Sequence, residues 1–287
     1  MSDNTNQYSL GIPESSPGHA ESFSEVIAIP SRQALEGLPP STNLRSGMSA
    51  VKDQGPAGTC GAFATAAMVE FVRKGIILAE CALMRGVLNR SLSDLFEFAR
   101  WKGACESKWW PYDSDSSQQT RPCHAPSNFE GKPLYGFDRT FLVFQETSSV
   151  ILAKLQSADA GGASAPEFGG GFFGPKSDLL RASLSSKRIP AAVEVPVFRS
   201  VNGFDGWGWD NGDGRVRIPP GANVAQAIAW ANKHDHWHCI AICGYDDAKR
   251  LFTFKNSWGE WSAARDGYGT ITYDYVDSTA RLAMAGQ

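Results

Sequence analysis

Apolar positions along the chain fall into a few runs with legible periods. Between Cys60 and Val72, Phe63, Ala67 and Phe71 recur every four residues, with Ala64, Met68 and Val72 beside them, and Gly75 closes the run. That spacing predicts a helix opening at Cys60, its apolar stripe packed in a core. A second helical pattern covers about 91–102, with Leu92, Leu95, Phe96 and Ala99 on one face, and a short third one covers Leu179 to Leu184. Strands are expected over Ala191 to Phe198, over His238 to Cys243, over Leu251 to Lys255 after a turn at Asp246-Asp-Ala-Lys, and from Gly267 to Tyr273. Helices early and antiparallel strands late predict an α+β fold in two lobes, helical over about 50–135 and sheet-rich over about 136–287.

Two stretches carry little pattern. Residues 1–36, rich in Ser, Pro, Gly and Glu, read as an N-terminal tail or short pro-segment, which leaves 37–287 as the domain. The middle of the chain, about 113–176, holds Gly161-Gly162 and the run Gly169 to Gly174. The spacing of a phosphate loop is absent and no strand precedes the run, so a surface loop is the expectation.

Composition narrows the classes. The 287 residues are 42% hydrophobic and 20% charged, with a net charge of -3. Nothing in that balance attracts nucleic acid or an acidic membrane. No apolar run approaches the roughly 18 residues of a membrane span, and the N-terminus lacks the basic start and apolar core of a secretory signal. The chain is expected in the cytoplasm, or exported by a route that reads no such signal. Six cysteines, at 60, 81, 105, 123, 239 and 243, are then expected as thiols. Cys239 and Cys243 would sit about 13 Å apart on one strand, too far to bridge; a Cys105–Cys123 bridge stays open.

Three distant segments carry the chemistry: Gln54-Gly-Pro-Ala-Gly-Thr-Cys60-Gly-Ala-Phe, His238-Cys-Ile-Ala-Ile-Cys-Gly-Tyr-Asp, and Lys255-Asn256-Ser-Trp258-Gly. A thiol attacks a carbonyl as thiolate. A helix N-terminus favours an anion there, and a neighbouring imidazolium favours it further. Cys60 is the candidate nucleophile and His238 the candidate base, held in one ring orientation by Asn256. Trp258 would shield that contact from water. The Cys60 backbone N–H and the Gln54 side-chain amide would stabilise the oxyanion. Two metal readings stand beside this one. His234, His236 and His238 alternate and would share a strand face as a zinc site, and Asp205, Asp210 and Asp213 lie in a glycine-rich loop without the calcium-loop spacing. Neither displaces the expectation of no metal and no cofactor.

With Gln54, Cys60, His238 and Asn256 in that order, the chain resembles the papain-like cysteine peptidases. The resemblance covers about 37–280 and includes Trp110-Pro111-Tyr112 and Asp266-Gly-Tyr. It implies a helical left lobe bearing Cys60, an antiparallel-sheet or barrel right lobe bearing His238 and Asn256, and an active-site cleft between them for a peptide or protein substrate. Ala57 stands where the family often has a disulfide cysteine, and Gly61 where it usually has tryptophan. Both departures suit a compact branch lacking the usual disulfides. An endopeptidase is the leading expectation. A transpeptidase or side-chain deamidase using the same acyl-enzyme is an alternative, and so is a catalytically silent peptide-binding module.

Overall fold

A computed structural model of the chain describes residues 14, 25–26, 30–84, 91–112, 126, 130–152, 175–200, 203–210, 213–261 and 265–287. Its elements run β1 (Glu25–Val26), α1 (Arg32–Glu36), β2 (Ser41–Asn43), α2 (Cys60–Val72), α3 (Glu80–Met84), α4 (Leu92–Trp101), β3 (Thr140–Gln145) and α5 (Lys176–Ala182). They continue with β4 (Ala191–Pro196), β5 (Arg215–Val216), α6 (Val224–Lys233), β6 (Trp237–Asp246), β7 (Leu251–Lys255), β8 (Tyr268–Thr272), α7 (Tyr273–Thr279) and β9 (Leu282–Gly286). Helices dominate the first part and a mainly antiparallel sheet the second, as the α+β expectation requires.

The helix that opens at Cys60 is unusual in composition. From Cys60 to Glu70 every residue of α2 is buried. A helix apolar all round belongs in an interior, and its alanines allow close approach on several sides at once. α4 begins where the sequence marks it. Ser91 Oγ accepts the Asp94 N–H and the Asp94 carboxylate accepts the Ser91 N–H, both at 3.2 Å, a reciprocal cap that satisfies two end donors.

Among the described residues the sheet runs β1-β3-β9-β4-β6-β7-β8-β5, with β2 also paired to β6. Pairing is antiparallel except for β1 with β3 and β5 with β8. The central strand β6 separates two cores. Ile240 and Ile242 pack with Val193, Val195, Phe254 and Trp258 in the sheet lobe. Cys239 and Ala241, one residue out of phase, pack with Cys60, Ala64 and Ala67 of α2. Period-two alternation thus makes β6 the wall between lobes.

Several readings of the sequence meet the structure here. His234 and His236 share no strand face with His238: His234 caps the C-terminus of α6 and Asp235 turns the chain at φ 54° before β6 begins. Asp210 and Asp213 close their own loop, Asp210 on the Ser200 N–H at 2.9 Å and Asp213 on Arg217 at 3.1 Å. Cys60, Cys105, Cys239 and Cys243 carry no disulfide, which removes the Cys105–Cys123 pairing. Cys81 departs from the expectation of thiols throughout: it is disulfide-bonded, and its partner lies outside the described residues. The glycine runs at 161–174 lie outside them too. Ordered pieces occur within 1–36: β1 pairs with β3, and the Glu14 carboxylate accepts the Ser148 N–H at 2.8 Å.

Candidate active site

The loop before α2 is held from both sides. Its Gly55 adopts φ 57°, in the left-handed region glycine enters without strain. On the helical side, the Tyr112 hydroxyl donates to Gln54 O at 2.8 Å and lies 2.8 Å from the Thr59 hydroxyl. On the sheet side, the Gln54 N–H donates to Ser257 O at 2.8 Å, and the Ser257 hydroxyl donates to Gln54 Oε1 at 2.6 Å. Gln54 Nε2 donates to Ala57 O at 2.8 Å. The amide is therefore fixed in one orientation, with its nitrogen toward the loop that leads to Cys60.

His238 sits near the head of β6, wholly buried. Its Nε2 lies 2.8 Å from Asn256 Oδ1. The same oxygen accepts the Ser257 N–H at 2.8 Å, which identifies it as the acceptor end of the amide. Nε2 must then carry the proton, and Nδ1 keeps its lone pair. Nδ1 is buried with no hydrogen-bond partner among the described residues. Trp258 covers the ring, with centroids 4.5 Å apart and planes 28° from parallel, and Trp209 meets it edge-on at 6.0 Å. The expected pairing of His238 with Asn256 under Trp258 is in place.

Cys60 opens α2 and is equally buried. The backbone N–H groups of Cys239, the residue after His238, of Gly61 and of Cys60 itself lie near enough to pull the thiol down. No Cys60–His238 hydrogen bond closes in this state. Burial pushes the thiol up to about 12, against the pull of the Cys239 N–H, and the nearby Glu194 carboxylate pushes the same way. Burial takes the imidazole down to about 4, opposed by its bond to Asn256. Burial thus works against the expected thiolate–imidazolium pair from both sides, raising the thiol and lowering the imidazole.

Two buried ionic groups that sequence reasoning passed over flank the site. Lys52 Nζ lies 2.6 Å from Glu70 and also contacts Glu80. Ser49 hydrogen-bonds Glu70 and accepts from Lys255 Nζ at 2.9 Å. This network ties α2 and α3 to the end of β7, one residue before Asn256, and so fixes the backbone from which Asn256 projects. Burial holds Lys255 down to about 8. On the other side, Arg281 Nε donates to Glu194 at 2.7 Å, both buried, and the Arg281 guanidinium stacks on Trp237 at 4.1 Å. The available signal was a lone charge inside an apolar run: Glu70 within α2, Glu194 within Ala-Ala-Val-Glu-Val. Among the described residues, no group of three or more His, Cys, Asp or Glu side chains gathers to hold a metal, and no helix is long and apolar enough to cross a membrane.

No family model and no curated protein matches the chain by sequence. Solved structures do match by shape. Xylellain, a cysteine protease from Xylella fastidiosa, superposes with a TM-score of 0.66 at 18% identity, covering 100% of this chain and 98% of its own. The bromelain protease from Ananas comosus, in complex with the E64 inhibitor, gives 0.54 at 18% identity over 87% of this chain and 99% of its own. Digestive procathepsin L2 proteinase from Tenebrio molitor larval midgut gives 0.56 at 18%, over 98% and 84%. The fold is that of the papain-like cysteine peptidases. Within that fold, the whole chain is similar to xylellain.

Proposed function

We propose that the chain is a cysteine-type endopeptidase acting through an acyl-enzyme. The observation that carries this reading is the state of His238, with Nε2 anchored on Asn256 and Nδ1 unpaired, next in sequence to Cys239, whose N–H draws the Cys60 thiol down. A base with one nitrogen fixed and the other open is prepared to take one proton. When substrate opens the site and water relieves the desolvation, Cys60 passes its proton to Nδ1 and the sulfur attacks the peptide carbonyl. The Cys60 N–H and the Gln54 amide receive the developing oxyanion. His238 then protonates the leaving amine, and water, deprotonated by the same nitrogen, releases the acyl group. Trp258 keeps the His238–Asn256 bond dry throughout. The substrate would be a peptide or protein, as the names of the structural neighbours suggest.

The test is incubation of the full chain with a diverse peptide library and identification of products by mass spectrometry. New amino and carboxyl termini that vanish with Cys60→Ala support the reading. Joined peptides would assign a transpeptidase, a one-unit mass gain at glutamine or asparagine a deamidase, and unchanged peptides a silent binding module.

A further inference from the structure

Cys60 shares its surroundings with a second thiol that the proposed reaction does not use. Cys239 is a free thiol, wholly buried, and its side chain lies on the α2 face of β6. The two lobes meet there without intervening structure. Ala64 and Ala67, one and two turns beyond Cys60, line a cavity of about 20 Å³ together with Cys239 and Ala241. The Cys239 N–H lies near enough to the Cys60 sulfur to pull that thiol down, and Cys60 in turn adds to burial in pushing the Cys239 thiol up. The Cys60 sulfur is thereby set near the residue that bears the second thiol. Both side chains lie in one apolar cluster, where His238 and Cys243 do not. Cys239 borders that cavity itself, with small alanines beside it.

We propose that Cys60 and Cys239 form a reversible disulfide when the protein meets a hydroperoxide, with Cys239 acting as the resolving thiol. The ionised Cys60 sulfur attacks one peroxide oxygen, the O–O bond breaks, and the departing hydroxide takes up the proton that Cys60 gave up, leaving a sulfenic acid and one water. The Cys239 sulfur, giving up its proton, attacks the Cys60 sulfur and expels the second water. Two thiols and one hydrogen peroxide thus give one disulfide and two waters, with both sulfurs oxidised and the peroxide reduced. Burial pushes both thiols up, so the first step needs the same admission of water that the proposed catalysis requires. The bond would block the nucleophile and, because a second sulfur captures the sulfenic acid, protect it from the irreversible acids beyond. The chemistry needs only the two thiols; its consequence as a switch rests on the peptidase reading.

The experiment exposes the full chain to hydrogen peroxide, alkylates remaining thiols, digests without reduction and maps cross-links by mass spectrometry. The expected result is a Cys60–Cys239 cross-linked peptide lighter by two hydrogens, lost on treatment with dithiothreitol, with alkylation at both positions restored. In Cys239→Ala, the same exposure should leave Cys60 as sulfenic acid trapped by dimedone, then as sulfinic acid that dithiothreitol does not reverse. Wild-type protein carrying sulfinic Cys60 beside an alkylatable Cys239 would overturn the proposal, as would a cross-link of Cys60 to any other cysteine. The readout is mass, not turnover. A protein that forms the cross-link but cleaves no peptide would retain this inference and lose the peptidase one.

Discussion

His238 and Cys239 are neighbours on β6, both wholly buried, and face opposite sides of the same sheet. The His238 side meets its polar needs with neutral partners. One amide oxygen serves both Nε2 and the Ser257 N–H, and two indole rings exclude water. The Cys239 side carries full charges nearby, and there they come paired: Glu194 with Arg281, Lys52 with Glu70 and Glu80. The difference teaches how one strand can serve two purposes. Paired charges are locked, because separating them in a dry interior is costly. A neutral imidazole with one open nitrogen can still change its protonation, which is what a catalytic base must do.

The largest expected effect falls on the candidate nucleophile. Cys60→Ala should lower kcat/KM by about 10⁴-fold or more, measured on the best peptide from the library. Activity within tenfold of wild type would remove Cys60 from the mechanism. Next comes the locked side. Glu194→Ala strands the Arg281 guanidinium in the interior, and should cost about 3–5 kcal/mol of stability, read from urea unfolding. A loss below about 1 kcal/mol would mean that Arg281 reaches solvent in the variant.

Gln54→Ala sharpens the chemistry instead. Its kcat should fall about 10²- to 10³-fold with KM little changed, whereas a rise in KM alone would mark Gln54 as a binding group. The last effect belongs to His238 and concerns pH. Its folded pKa is depressed to about 4 from an ordinary 6.5, so between those values the unfolded chain binds more protons than the folded one. Stability contributed by the neutral ring is full above pH 6.5 and is lost as pH falls toward 4, by up to about 3 kcal/mol. Thermal melts across that window should show the loss, and His238→Gln should flatten it; an unchanged slope in the variant would assign the loss to other groups.

Legibility in the sequence followed the range of the interactions. α2 was readable because its period and its opening cysteine are local, and the β6–β7 hairpin because two apolar runs flank a polar turn. β3 and β9 were not, since β3 pairs with a strand more than a hundred residues away and neither has a turn signal beside it. α7 follows β8 without a break, so its start looked like the end of a strand. In the site, Gln54, Cys60, His238, Asn256 and Trp258 stood out through their spacing. Ser257 did not, although its hydroxyl and carbonyl join Gln54 to the Asn256 turn across the lobes. The direction in which burial moves the pair was also hidden, because it depends on total burial that no local pattern encodes.

The central claim is that Cys60 becomes a reactive nucleophile through His238. A thiol-directed epoxide, incubated with the full chain and followed by mass spectrometry, tests it most directly. The account predicts a single adduct on Cys60, no adduct in Cys60→Ala, and much slower labelling in His238→Ala. A wild-type protein that stays unlabelled, or one labelled at the same rate after His238 is replaced, would contradict it.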